Sequence, residues 1–358
     1  MFVKSFGAVV GILATSVVAQ TYTDCNPTEK TCDPAPALGN LTIDCDFTQG
    51  ACSDFTAASG TTITYDSNGA LFSIENDTQA PTLSTSRYIF FGRVEVQLKA
   101  AVGQGIITSV VLQSADLDEI DWEWFGGKDT EVESNYFGKG DTTTYDREEY
   151  HDVTTPLSVY HNYTIEWTSS KVEWLIDNVV VRTLNYADAE SGTRFPQTPM
   201  QLKIGTWAGG LSTNSEGTIE WAGGVTDFSE APFKAWYKSV SVVDYAGGNS
   251  SATESITEYV YSDTSGSYES ITVVKGESVS DEDLTVNNST SLVTTAGGSS
   301  SSNGTVVVSN STTTSTSSTT TAQATSATSA VTNSNDAATS SFSTLFAVCA
   351  AAIMIAAF

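Results

Sequence analysis

Between Leu117 and Gly126 the chain reads Leu-Asp-Glu-Ile-Asp-Trp-Glu-Trp-Phe-Gly, so carboxylates at 119, 121 and 123 alternate with Ile120, Trp122 and Trp124. A period of two belongs to a β-strand, whose successive side chains leave opposite faces. One face then carries Glu119, Asp121 and Glu123, and the other carries three large apolar groups that need a surface to pack against. The stretch confines the fold to a sheet that is acidic on one side and buried on the other.

The surrounding sequence agrees with a sheet protein. From about residue 40 to 245, short alternating runs are separated by Gly, Asn, Asp and Ser, and no helical stripe exceeds a few turns. Strands are expected at 61–65, 71–75, 88–98, 106–112, 119–125, 163–168, 172–176, 200–206 and 238–243. Two stacked antiparallel sheets of the jelly-roll type bury such faces, and a domain of about 200 residues supports a sizeable core. The expected class is therefore an all-β sandwich with a concave substrate cleft. After Tyr245 the composition changes to Ser and Thr, although residues 256 to 286 keep some Ile, Val and Tyr. A segment so poor in apolar side chains cannot offset its chain entropy by burial, and it reads as a disordered, O-glycosylated stalk.

Three carboxylates on one face repel when all are ionised, so at least one holds its proton near neutral pH. A neutral carboxylic acid beside an ionised one is the pair that cleaves glycosidic bonds, one group attacking the anomeric carbon and the other protonating the departing oxygen. Retaining enzymes separate the pair by about 5–5.5 Å, whereas positions i and i+4 of a flat strand lie about 13 Å apart at Cα. A bent, concave sheet with long Glu side chains leaning over the shorter Asp closes that gap, which casts Glu119 and Glu123 as the reacting pair and Asp121 as the group tuning them. The competing interpretations are an edge strand dressed with acids for solvation and a calcium site on Asp116, Asp118 and Asp121. The calcium loop requires a glycine and a distal Glu at fixed offsets that are missing here.

The run Asp118-Glu119-Ile120-Asp121-Trp122-Glu123 resembles the active-site motif of glycoside hydrolase family 16, in its form without the extra bulge residue. Phe91-Gly92-Arg93-Val94-Glu95-Val96, Asn135-Tyr136-Phe137, His161-Asn162-Tyr163-Thr164-Ile165-Glu166-Trp167 and Trp174-Leu175-Ile176-Asp177 extend the likeness to the fungal Crh-type cell-wall transglycosylases, over roughly residues 40 to 245. The resemblance implies Glu119 as nucleophile, Asp121 as auxiliary acid and Glu123 as acid/base. It also implies a similar Lys, Trp and Thr at Lys203, Trp207 and Thr218. Lys203 and Trp207 share a strand face, where a hydroxyl donor stands beside a stacking platform for sugar rings, although most Trp are largely buried and Trp207 also fits a core role.

Where that family often has Gln and Asn, this chain has Glu133 and Asn135, so only Asn135 carries over as a substrate contact. Trp221 is a candidate further subsite, and Tyr136 is read as either a subsite wall or a core residue. Trp122, Trp124, Trp167 and Trp174 are expected in the core, and His151 and His161 are expected to be structural. With two histidines in the whole chain and no thiol nearby, neither a zinc site nor a Ser-His-Asp triad has support. No metal and no cofactor is expected.

Residues 1 to 19 combine Lys4, an apolar run and Val17-Val18-Ala19, the layout of a secretory signal peptide that leaves Gln20 as first mature residue. The mature domain is then 20–245, followed by a Ser/Thr-rich linker at 246–334. Residues 335 to 358 read as a GPI-attachment signal with Asn335 as attachment residue, because the closing apolar run is short for spanning a membrane. Export agrees with the four cysteines that remain, and pairing Cys25 with Cys32 and Cys45 with Cys52 closes two short local loops. It agrees as well with N-glycosylation sequons at Asn40, Asn76, Asn162, Asn249, Asn287, Asn288, Asn303 and Asn310.

A formal net charge of −27 excludes nucleic acid as a partner. The expected activity is that of a cell-surface retaining transglycosylase, attached to the membrane through a GPI lipid only, with chitin as donor and β-glucan or chitin as acceptor. A hydrolytic β-1,3 or mixed-linkage glucanase and a non-catalytic carbohydrate-binding wall protein are the alternatives.

Overall fold

The computed structural model describes residues 23–276. The expected signal peptide, the GPI signal with Asn335, and the sequons at Asn287, Asn288, Asn303 and Asn310 lie outside the described residues. The first strands are β1 Ala35–Pro36, β2 Thr42–Asp46, β3 Phe55–Ala57, β4 Thr64–Asp66, β5 Gly69–Ile74, β6 Thr82–Thr85 and β7 Gly92–Lys99. The central ones are β8 Ile106–Ser114, β9 Glu119–Phe125, β10 Glu131–Phe137, β11 Glu149–Asp152, β12 His161–Trp167, β13 Lys171–Ile176 and β14 Val179–Asn185. There follow β15 Met200–Ala208, the short helix α1 Glu216–Trp221, β16 Phe233–Asp244, β17 Ile256–Tyr261 and β18 Ile271–Lys275.

Two antiparallel sheets form the sandwich. One runs β11-β10-β9-β8-β15-β6-β3, the other β14-β13-β12-β7-β16-β5-β4, with β2 added along β16. The alternation in β9 determines how they stack. Trp122 and Trp124 turn inward, where both rings meet Tyr163 of β12, at 5.7 and 4.5 Å between centroids. Trp122, Trp124, Trp167 and Trp174 are fully buried in the main core, as the sequence predicts, and Tyr136 joins them there. The two disulfides are Cys25–Cys32 and Cys45–Cys52, the local pairs.

The ordered domain continues past residue 245. Strands β1, β17 and β18 make a third, small sheet. Tyr259 explains why this segment folds despite its polar surroundings: its ring packs on Phe90 and its hydroxyl donates to Asp244. Asp244 also accepts from the backbone N–H groups of Gly39, Phe90 and Ala246, so its buried carboxyl gathers three parts of the chain. The few apolar residues after 245 are thus spent on docking, and the linker expected from 246 begins no earlier than residue 277. Among the sequons in the described residues, Asn40, Asn76 and Asn249 are exposed and Asn162 is half-buried on β12.

Candidate active site

Strand β9 is delivered by a tight turn. Leu117 adopts a left-handed φ of 65°, and the Ser114 hydroxyl accepts from the Asp118 N–H at 2.9 Å. Asp118 in turn accepts from the backbone of Lys139 and Gln197, which ties the start of the strand to two loops. Antiparallel pairing with β8 and β10 then sets the acids in rows. Glu119 stands between Gln113 and Phe137, Asp121 between Val111 and Asn135, and Glu123 between Ser109 and Glu133. Since β15 pairs with β8, Lys203 extends the row of Asp121, and Trp207 sits one row beyond Glu123, next to Ile107.

The acids face away from the core yet are only 4%, 2% and 5% exposed for Glu119, Asp121 and Glu123. They lie in a recess whose neighbours distinguish them. Glu119 accepts from Gln113 Nε2 at 2.9 Å, and Gln113 Oε1 accepts from Lys203 Nζ at 2.7 Å. Burial pushes the Glu119 carboxyl up, but hydrogen bonds from Asp121 and Gln113 and the charge of Lys203 oppose this. Asp121 is held well above the usual carboxylate range, first by burial and then by the charges of Glu119 and Glu133. Glu123 is likewise held well above it, by burial and then by the charges of Asp121, Glu133 and Glu119. Its one counteracting hydrogen bond is from the Ser109 hydroxyl, at 3.2 Å. Of the three, Glu119 is the acid whose ionised form is best supported by its neighbours, and Asp121 and Glu123 are those best placed to hold a proton. Three acids identical in kind have been made different by their neighbours.

The aromatic side of the recess is a small cluster of its own, made of Ile107, Phe125, Trp207, Trp221 and Ala222 and separate from the sandwich core. Trp207 and Trp221 stack at 6.0 Å between centroids with 22° between planes. Trp207 Nε1 donates to Ser109 Oγ at 3.2 Å, and the Ser109 hydroxyl donates to Glu123, so two hydrogen bonds link this indole to the acid.

Family 16 of the glycosyl hydrolases matches residues 51–223 of the chain. Crh-like protein 5 of Aspergillus fumigatus is 48% identical over 271 residues, covering 76% of this chain and 67% of its own length. Crh-like protein 1 of the same fungus is 48% identical over 283 residues, covering 79% of this chain and 74% of its own length. A solved structure of the Crh5 transglycosylase in complex with NAG matches with a TM-score of 0.66 and 49% identity, over 70% of this chain and 100% of that one. The chain belongs to the Crh-like proteins of glycosyl hydrolase family 16.

Within this Crh-like fold the expected site residues separate. Glu119, Asp121, Glu123, Asn135, Lys203 and Trp207 meet on adjacent strands of one sheet face, and Trp221 reaches them from α1. Trp207 is 4% exposed, so it is a packed ring of the recess wall and not the freely presented platform expected from sequence. Thr218 lies in α1, where its N–H and hydroxyl are engaged by Ser215 at the helix start, a capping role. Asn135 donates to Glu133 Oε1 at 3.3 Å and accepts from the Tyr136 N–H at 2.9 Å, so both ends of its amide are occupied within the protein.

Sequence reasoning missed Gln113, Ser109 and Glu133. Gln113 and Ser109 belong to β8, an ordinary apolar strand by its pattern, and only the register opposite β9 marks them. Glu133 carries a local signal, the face it shares with Asn135, but it departs from the Gln of the family pattern. His151 bonds Ser134 beside Trp122, and His161 bonds Asp177 and the Thr154 carbonyl, both structural.

Proposed function

We propose that this chain is a retaining transglycosylase of the fungal cell surface, with chitin as donor and β-glucan or chitin as acceptor. The observation that carries the assignment of roles is the inequality of the three acids. Glu119, which receives the Gln113 amide and the Asp121 hydroxyl, is the ionised nucleophile. Glu123, left with Ser109 alone as a donor and surrounded by acids, is the general acid.

Glu119 attacks the anomeric carbon as Glu123 passes its proton to the departing oxygen, and a glycosyl-enzyme ester forms. Charge on Glu119 is lost as the ester forms, and Asp121 keeps its proton and its hydrogen bond to the carboxyl group of Glu119. Glu123, now a carboxylate, takes a proton from an acceptor hydroxyl, which attacks the ester carbon and frees Glu119. A sugar acceptor beats water where the walls of the recess hold it in line, and the packed Trp207–Trp221 pair gives this recess a rigid aromatic wall. The NAG complex of the Crh5 transglycosylase supports an N-acetylglucosamine polymer as donor. The four cysteines bonded in pairs fit an oxidising, exported setting, with the GPI lipid as anchor.

The test incubates the purified protein with soluble chitin and fluorescent chitin or β-glucan oligosaccharides. Labelled polymer should appear with wild type and vanish with Glu119→Gln and Glu123→Gln. Release of reducing sugar alone at every acceptor concentration would make the protein a hydrolase, and absence of any turnover would leave a binding protein.

A further inference from the structure

Double displacement needs two carboxyl groups and here employs a third, but the recess contains a fourth. Glu133 is 0% exposed and directly opposes Glu123 in the β9–β10 ladder. Directly opposed residues of an antiparallel pair have their Cβ atoms about 4.5–5.5 Å apart, so both carboxyl groups share one water-poor space. Their donors differ. Glu133 Oε2 accepts from Trp221 Nε1 at 3.0 Å and Oε1 from Asn135 Nδ2 at 3.3 Å, and Tyr150 adds a further hydrogen bond. Glu123 has the Ser109 hydroxyl. Donors favour the ionised form of a carboxyl group and a neighbouring anion disfavours it. When one charge enters this pair it goes to Glu133, and the proton remains on Glu123.

We propose that Glu133 is a positioning residue for the acid/base step: its carboxylate retains the proton on Glu123 until the leaving oxygen takes it, and strengthens Glu123 as the base that then activates the acceptor. This rests on the assignment of Glu123 as acid/base. Glu133 itself is pushed up to about 7, chiefly by burial, with the Trp221 hydrogen bond opposing.

The remaining titratable and charged groups about the pair are Asp121 and Glu119 on β9, Tyr150 on β11 with Glu148 just before it, Arg182 of β14 and Lys203 of β15, next to Glu119. Strand β8 contributes the uncharged Ser109, and α1 contributes the Trp221 indole. None of these changes in Glu133→Gln, which removes the charge and keeps an oxygen for Trp221.

The experiment compares pH profiles of kcat/KM for transfer from soluble chitin to a labelled chitin oligosaccharide. In Glu133→Gln the alkaline limb, where the acid loses its proton, should move to lower pH by about one unit, the scale of ordinary carboxyl displacements in folded proteins. Glu133→Asp should restore most of the shift. A uniform loss at all pH values with the limb in place would overturn the proposal and leave Glu133 as a support for Trp221. Should Glu133→Gln fail to fold, Trp221→Phe removes a donor that favours ionised Glu133 and should move the limb in the same direction; an unmoved limb there overturns the proposal equally. Glu123→Gln separates the two levels. If it stays active the acid/base assignment fails, whereas a dead Glu123→Gln with an unmoved Glu133→Gln limb fails the proposal alone.

Discussion

Trp174 reaches from one sheet to the other and donates its indole N–H to the backbone carbonyl of Asp121 at 3.0 Å. A residue of the core is thereby bonded to the middle of the acid row, and the position of the acids depends on how the two sheets are stacked. Trp174→Phe keeps a ring against Arg182 and removes the donor. Loss of this bond together with the smaller ring should cost on the order of 2 kcal/mol in denaturant unfolding. The turnover number should fall more than KM rises, because the acids lose their register while the aromatic wall stays. Unchanged stability and turnover would show the contact to be incidental.

The chain from Lys203 through Gln113 to Glu119 makes a second prediction. A donor to a carboxylate lowers its pKa, and Glu119 must be ionised to attack. Gln113→Leu should therefore move the acid limb of kcat/KM to higher pH, by about one unit. Lys203→Met should do the same through loss of its charge. A limb that stays where it was in both variants would detach these residues from the nucleophile.

Trp207→Ala removes an indole that packs on Trp221 and bonds Ser109, beneath 4% exposure. The cost should be about 3 kcal/mol, in the range for truncating buried aromatic side chains, accompanied by weaker oligosaccharide binding. Trp207→Phe should recover most of the stability. A stability loss below about 0.5 kcal/mol for the alanine variant, the size of an ordinary surface change, would return Trp207 to an exposed platform.

Stability should decline as pH rises. Asp118 and Glu133 are pushed up to about 7, chiefly by burial, and Asp244 to about 6 for the same reason. Each binds its proton more tightly folded than unfolded, where carboxyl groups titrate near about 4. Their contribution is complete below about pH 4 and disappears as pH passes through about 6 to 7. His151, lowered by burial, acts in the opposite direction and loses stability as pH falls, as do Asp46, Asp141, Asp177, Asp227 and Asp263, whose carboxyl groups are lowered. Those aspartates titrate at or below about pH 4 both folded and unfolded, at the edge of the window that the raised groups govern. The melting temperature measured from pH 4 to 7 should fall; a rise across this window would contradict the assignment.

What residues dictate locally was legible in the chain itself. Alternation along β9 defined the strand and its two faces, because side chains of a strand have no other way to point. The same period placed Trp122 and Trp124 in the core, and two short cysteine spacings indicated which sulfurs meet. What lies across strands was not legible. Ser109 and Gln113 become neighbours of Glu123 and Glu119 only through the β8–β9 register, and Trp221 comes to Glu133 from 88 residues away. Low mean hydropathy after Tyr245 suggested a stalk, yet Tyr259, received by Phe90 and Asp244, together with buried Ile256 and Ile271 and the pairing of β1 with β17, extends the fold past that point. The sequence placed three acids in a row. Only the tertiary structure made them unequal, since desolvation and donor supply depend on what surrounds each carboxyl group in space.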